Sequence, residues 1–157
     1  MGLTVIGTAG TQRGLDLVKK EGAHYAFDHT KPNCADEIMK VTGGRGLDIV
    51  LEMLANVNLA TDLRLLAQYG RVIVIGNRGE IMINPRELMS RRAMVRGFTL
   101  WAATEAETTE IYAGIDAGLE NSTLRPIVGK ELPLQDAPQA HQDVLAPGAF
   151  GKIVLIP

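Results

Sequence analysis

Short runs of β-branched and other apolar residues recur along the chain, each followed by a stretch where apolar positions return every three or four residues. "LTVIGTA" (residues 3–9) predicts a buried strand, and "TQRGLDLVKKEGA" (11–23) a helix capped by Thr11 and ended near Gly22. "HYAFDH" (24–29) reads as a short strand, and "CADEIMKVTGG" (34–44) as a helix closed by Gly43 and Gly44. "LDIVLEML" (47–54) is almost continuously apolar, which predicts a strand covered on both faces. "NLATDLRLLAQYG" (58–70) sets Leu59, Leu63, Leu66 and Ala67 on one face of a helix. "GRVIVIGN" (70–77) is the clearest buried strand, and Asn84-Pro85 opens a helix over "INPRELMSRRA" (83–93). "MVRGFTLWAA" (94–103) reads as a further strand, and "TEAETTEIYAGIDAGLEN" (104–121) as a helix with an acidic first turn. Such alternation predicts βαβ units and a parallel sheet.

The pattern changes after Leu124. Residues 125–157 hold five of the seven prolines, one short helix around "APQAHQDVL" and a terminal strand "GKIVLIP". The composition therefore sets a boundary between residues 1–124 and 125–157. No internal repeat or low-complexity linker interrupts the chain.

Composition adds little to this picture and excludes some function classes. At 157 residues, with 46% hydrophobic and 22% charged residues, the chain is one ordinary globular domain's worth. A net charge of −2 offers no electrostatic footprint for nucleic acid or an anionic membrane. No apolar run reaches the roughly 18 residues that span a bilayer, and no secretory signal pattern opens the sequence. Cys34 is the only cysteine, which excludes an internal disulfide and suits a reducing compartment; the expectation is cytoplasmic.

Familiar catalytic motifs are missing. No Gly-x-Gly-x-x-Gly lies between a strand and a helix, and there is no Walker lysine loop, nucleophile elbow or zinc-ligand spacing, so no metal is expected. His24, His29 and His141 are scattered and each alone reads as a surface or packing histidine. No carboxylate pair announces acid–base work, and the catalytic residues are not identified.

The strand ends carry more information, because ligands of open α/β sheets bind outside the carboxyl ends of the strands. Those ends are Gly10-Thr11-Gln12-Arg13, His29, Ala55 to Asn58, Gly76-Asn77-Arg78-Gly79 and Phe98-Thr99-Leu100. Gly10 and Gly76 let backbone approach a ligand. Thr11, Arg13 and His29 can donate to a phosphate, with no acid at the tip of the first strand to repel it, which points to the 2′-phosphate of NADP rather than NAD. Against this, glycines end strands everywhere and Arg13 can be a solvated helix residue. On residues alone the two readings stand level.

"GTAGT", "GAHYAFDH", "EMLANVNLATDL", "GRVIVIGNRG", "INPREL" and "GKIVLIP", in this order, resemble the zeta-crystallin type of quinone oxidoreductase, in the zinc-independent part of the medium-chain dehydrogenase/reductase superfamily. The resemblance runs over essentially the whole chain. It implies an NADPH-dependent, one-electron quinone reductase, cytosolic and homo-oligomeric. It implies cofactor contacts at Gly10, His29, Asn58, Ile75, Gly76, Asn77, Arg78, Phe98, Thr99 and Leu100. It also implies dimer pairing through the edge strand "MVRGFTLWAA", whereas an ordinary interior strand would place Trp101 in the core. Some members of the family bind AU-rich RNA.

The departures from that family shape the expectations. Its chain is about twice as long, with a GroES-like catalytic domain and a first nucleotide-binding strand and Gly-Gly-Val-Gly loop that have no counterpart here. The expected fold is thus α/β, a Rossmann-like doubly wound parallel sheet lacking its first strand and Gly-rich loop. Residues 125–157 form a tail that belongs with the GroES-like domain. The chain reads as the C-terminal half of such a protein, with weak or no activity alone. A non-catalytic nucleotide-binding, RNA-binding or oligomerisation fragment is the alternative. In the doubly wound order the first strand lies between the second and fourth. The strands at residues 3–9 and 47–54 would then close up, admit "GKIVLIP" between them, take a strand from a partner, or leave an open seam.

Overall fold

The computed structural model describes residues 2–146, 148 and 150–157. The chain forms two compact units, residues 1–102 and 103–157. The division falls earlier than the compositional boundary at residue 124, so the long helix after residue 103 goes with the tail.

In the first unit, β1 (Ile6–Ala9) leads through α1 (Gln12–Lys20) to β2 (Tyr25–Asp28), which pairs parallel with β1. Thr11 caps α1 as expected, its hydroxyl oxygen accepting the Gly14 amide at 3.1 Å. α2 (Cys34–Val41) then leads to a second sheet in which β3 (Leu47–Glu52), β4 (Leu66–Val74) and β5 (Met94–Gly97) run parallel in that order. α3 (Ala55–Leu65) and α4 (Pro85–Arg91) are the crossovers, and Asn84 caps α4 with Pro85 in its first turn. In the second unit, α5 (Glu105–Glu120) opens on a capping box between Thr104 and Glu107. β6 (Val128–Pro133), α6 (Ala137–Asp143) and β7 (Lys152–Ile156) follow, with β6 and β7 parallel.

The α/β class with parallel strands is as the sequence predicts, and among the described residues the seam is open. β1 bonds only to β2, β3 bonds only to β4, and β7 pairs with β6 rather than filling the slot. Several expected elements differ. The helix expected over residues 58–70 spans Ala55–Leu65, and Leu66 is already extended. Leu47 pairs with Leu66 and Ile49 with Arg71, so residues 67–70 bulge opposite Asp48 alone. Glycine permits this close packing: a Cβ on Gly46 would lie 2.5 Å from the Leu65 carbonyl, and one on Gly70 would lie 2.8 Å from that of Leu47. The bulge turns at Tyr69, whose φ is 63° and whose ring lies under the Arg92 guanidinium. β5 stops at Gly97 and yields to a 3-10 turn at Leu100–Ala102. β6 is unheralded by its sequence.

The core is small and lies beneath α3 and α4. Leu63, Leu66 and Val72 are buried, with Val50, Leu59, Val74, Ile83, Leu88 and Ala93 packed around them. β3 is covered on one face only, correcting the expectation of two. Val50 and Glu52 turn inward, whereas Ile49 and Leu51 remain exposed.

Two measurements test this architecture. Hydrogen exchange should leave the amides of residues 71–74 slowest, because β4 is paired on both sides, with alternate slow and fast amides along β1 and β3. Uniform protection along β1 and β3 would mean that the seam is closed. Gly76→Ala should destabilise by about 1–3 kcal/mol or more in denaturant titration, because the new Cβ would stand 2.1 Å from the Met53 carbonyl oxygen. Gly114→Ala on α5, with nothing within 4 Å of its Cβ, should instead stabilise by about 0.4–1 kcal/mol.

Candidate functional site

The carboxyl ends of the two sheets in the first unit carry two groups of residues. The first is built where β1 passes into α1. Gly10 packs against the ring of His29, and a Cβ there would come 3.0 Å from Nε2 and 3.3 Å from the Thr30 methyl. The His29 amide donates to the Ala9 carbonyl at 3.3 Å, which fixes the loop after β2 beside Gly10. Thr11 uses its oxygen lone pair on the helix cap and keeps its hydroxyl proton to donate. Arg13 follows in the first turn of α1, where the helix dipole favours an anion.

An acid does stand in this group, at the tip of the second strand rather than the first. Asp28 accepts the Thr30 hydroxyl at 2.6 Å and the Thr30 amide at 2.9 Å. Those bonds hold its carboxyl below the usual range. Asp28 is thereby occupied in shaping the loop. His24 serves the backbone, its Nδ1 accepting the Val5 amide at 3.0 Å.

The second group lies at the ends of β3, β4 and β5. The amides of Ile75 and Gly76 donate to the Glu52 carbonyl at 2.8 and 3.2 Å, and the Ala55 amide donates to the Gly76 carbonyl at 3.0 Å. Asn56 Oδ1 accepts the Arg78 amide at 3.0 Å, and Asn77 Nδ2 donates to the Gly79 carbonyl at 2.8 Å. Phe98 donates its amide to Val74 at 2.9 Å, which sets Phe98, Thr99 and Leu100 just beyond β5. Asn58 belongs to the first turn of α3, where its Nδ2 donates to Glu52 Oε1 at 3.1 Å.

That last bond leads to a pair the sequence does not announce. Glu52 and Asp62 are both buried, and the Leu54 amide also donates to Glu52 Oε1. Burial pushes the Asp62 carboxyl up to about 8, with the neighbouring Glu52 as the second cause. A carboxylate pair is therefore present, contrary to expectation. Its members are ten positions apart, on a strand and a helix, and only the docked helix brings them together. The legible signal is Asn58 and Asp62 at i and i+4, a polar row beside the apolar face of Leu59 and Leu63. Among the described residues no group of three or more His, Cys, Asp or Glu could hold a metal ion.

Comparison with known proteins agrees with this architecture. Residues 1–115 match the family described as zinc-binding dehydrogenase. The chain is 46% identical over 156 residues to a quinone oxidoreductase of Sus scrofa, covering 99% of this chain and 47% of that one. The quinone oxidoreductase of Thermus thermophilus, solved also in complex with NADPH, superposes with a TM-score of 0.84 at 33% identity over 100% of this chain and 50% of the other. An NAD-dependent alcohol dehydrogenase superposes with a TM-score of 0.87 at 28% identity, covering 99% of this chain and 44% of its own. The chain spans about half the length of the curated relatives it matches. It belongs to the zinc-binding dehydrogenase family, and its likeness within that family is to the quinone oxidoreductases.

Proposed function

We propose that this chain is the nucleotide-binding part of an NADPH-dependent quinone reductase. The observation that carries the reading is the approach of Gly10 to His29 at the capped N-terminus of α1, where a Cβ at residue 10 would press on the His29 ring and the Thr30 methyl. The quinone oxidoreductase relatives supply the substrate class. Thr11, Arg13 and His29 present donors to the 2′-phosphate. Asn58, Ile75, Gly76, Asn77, Arg78, Phe98, Thr99 and Leu100 contact the rest of the cofactor from the second group. NADPH supplies the reducing equivalents for a quinone, and the chain's share of the chemistry is orientation. None of these residues is assigned the role of proton donor.

A second role, oligomerisation, is favoured by β5. Its residues are exposed, one edge is unpaired among the described residues, and Phe98 and Trp101 beyond it are exposed, Trp101 at 94%. An unpaired apolar edge invites a second strand. We propose that a second copy pairs there, which also removes Trp101 from water.

NADPH should bind more tightly than NADH, and Arg13→Ala should narrow the gap by about 1.5–3 kcal/mol, the worth of a charged hydrogen bond to phosphate. Calorimetry reads both, and equal affinities in the unaltered chain would overturn the phosphate reading. Light scattering at micromolar concentration should give a dimer, converted to monomer by Val95→Lys. A monomer before substitution would remove the role given to β5.

A further inference from the structure

The face of α3 against the sheet interrupts its core with polar groups. Glu52 at the end of β3 is 6% exposed and Asp62 in the third turn of α3 is 8% exposed. Glu52 Oε1 accepts from the Leu54 amide and from Asn58 Nδ2, one helical turn before Asp62. Asp62 Oδ2 is fully buried and finds no donor among the described residues. An ionised Asp62 would hold that oxygen bare beside a second carboxylate. A protonated Asp62 has a hydrogen to give, and Glu52 is the acceptor beside it.

We propose that Glu52 and Asp62 share one proton and act as a positioning pair, fixing the first turn of α3 and, through it, the Gly76 to Arg78 loop. The link is physical: Leu54 and Asn58 are held by Glu52 itself, Ala55 bonds the Gly76 carbonyl, and Asn56 bonds the Arg78 amide. The cofactor end of this inference rests on the proposed NADPH site; the shared proton does not.

α3 packs against β3, β4, α2 and α4. The charged groups on those elements are Asp48 of β3, Arg71 of β4, Asp36, Glu37 and Lys40 of α2, and Arg86, Glu87 and Arg91 of α4, with Arg64 on α3 itself. None of these acts on Asp62; among the described residues its interacting partner is Glu52. Arg91, the cation tied to the end of α3, is spent on the carbonyls of Arg64 and Leu66 and on Glu87. Among the described residues no cation therefore replaces the proton.

Asp62 has its ordinary value of 3.8 when unfolded and about 8 when folded. Between these the folded state binds the extra proton, so stability falls as pH rises through that window and levels off above it. Ligand binding reports the other half. If the protonated pair is the binding form, its fraction drops about tenfold between pH 7 and pH 9, and NADPH affinity with it.

The test follows the Asp62 carboxyl carbon by NMR, the Leu54 amide by hydrogen exchange, and NADPH affinity by calorimetry, all on the full chain from pH 6 to 9.5. Asp62 should titrate near 8, and in Glu52→Gln its midpoint should fall. The Leu54 amide should lose about tenfold of its protection between pH 7 and pH 9. Asp62→Asn keeps a donor toward Glu52 without a titrating group, and should hold Leu54 protection flat across the range and remove the roughly tenfold fall in NADPH affinity between pH 7 and pH 9. Circular dichroism confirms that the variants fold; if Asp62→Asn does not, Glu52→Gln and the unaltered chain still decide. Titration of Asp62 near 4, or a Leu54 amide indifferent to pH, overturns the pair. So does an Asp62→Asn variant that keeps the full pH dependence. Titration near 8 with a responsive Leu54 amide but no NADPH binding at any pH upholds the pair and defeats the cofactor reading alone.

Discussion

The carbonyl oxygen of Glu52 receives the amides of both Ile75 and Gly76, and the Gly76 carbonyl receives that of Ala55. Three elements are tied at this knot: the end of β3, the end of β4 and the start of α3. Its tightness is set by Gly76, whose backbone lies so close to Met53 that no side chain fits between them. Every candidate residue of the second group hangs from this junction. Asn58 lies one turn into α3, Asn77 and Arg78 continue from Gly76, and Phe98 bonds the last residue of β4.

The carboxylate of the same residue points inward and braces the helix that begins there. A buried acid is costly unless it is hydrogen-bonded. Glu52 meets that requirement with the Leu54 amide and the Asn58 side chain. Strand end, helix start and the Gly76 to Arg78 loop are thereby made answerable to one side chain. The first group is organised differently. There a strand tip, a helix cap and the Asp28–Thr30 turn converge on Gly10 through short local bonds.

Much of this was legible in the sequence because it rests on local chemistry. Thr11 and Asn84-Pro85 mark helix starts through caps that need only neighbouring residues, and the apolar runs give the strands their order. Three features were hidden. Leu66 satisfies a helical period and an extended one alike, and the close packing of Gly46 and Gly70 decides between them. β6 carries Lys130 and Glu131 on an exposed edge and so lacks the apolar signature of a strand. β3 has the composition of a strand buried on two faces, yet Ile49 and Leu51 meet no covering layer. Placing Glu52 against Asp62 required the helix to be docked, which no window of neighbouring residues encodes.

The all-parallel pairing also governs how the chain can reach this state. Partners in the ladders lie from 19 residues apart, for Ile6 and Tyr25, to 24 apart, for Val128 and Lys152. Among the described residues no hairpin offers a quick first contact between neighbouring strands, so each ladder must wait for its intervening helix to form and fold back. Loop closure over such distances costs entropy before any strand contact returns it. Helices with strong local caps, α1 and α5 above all, are the natural early structures. The β3–β4–β5 core, which needs two such closures and a docked α3, is the natural late one, and the order of assembly runs from the caps inward.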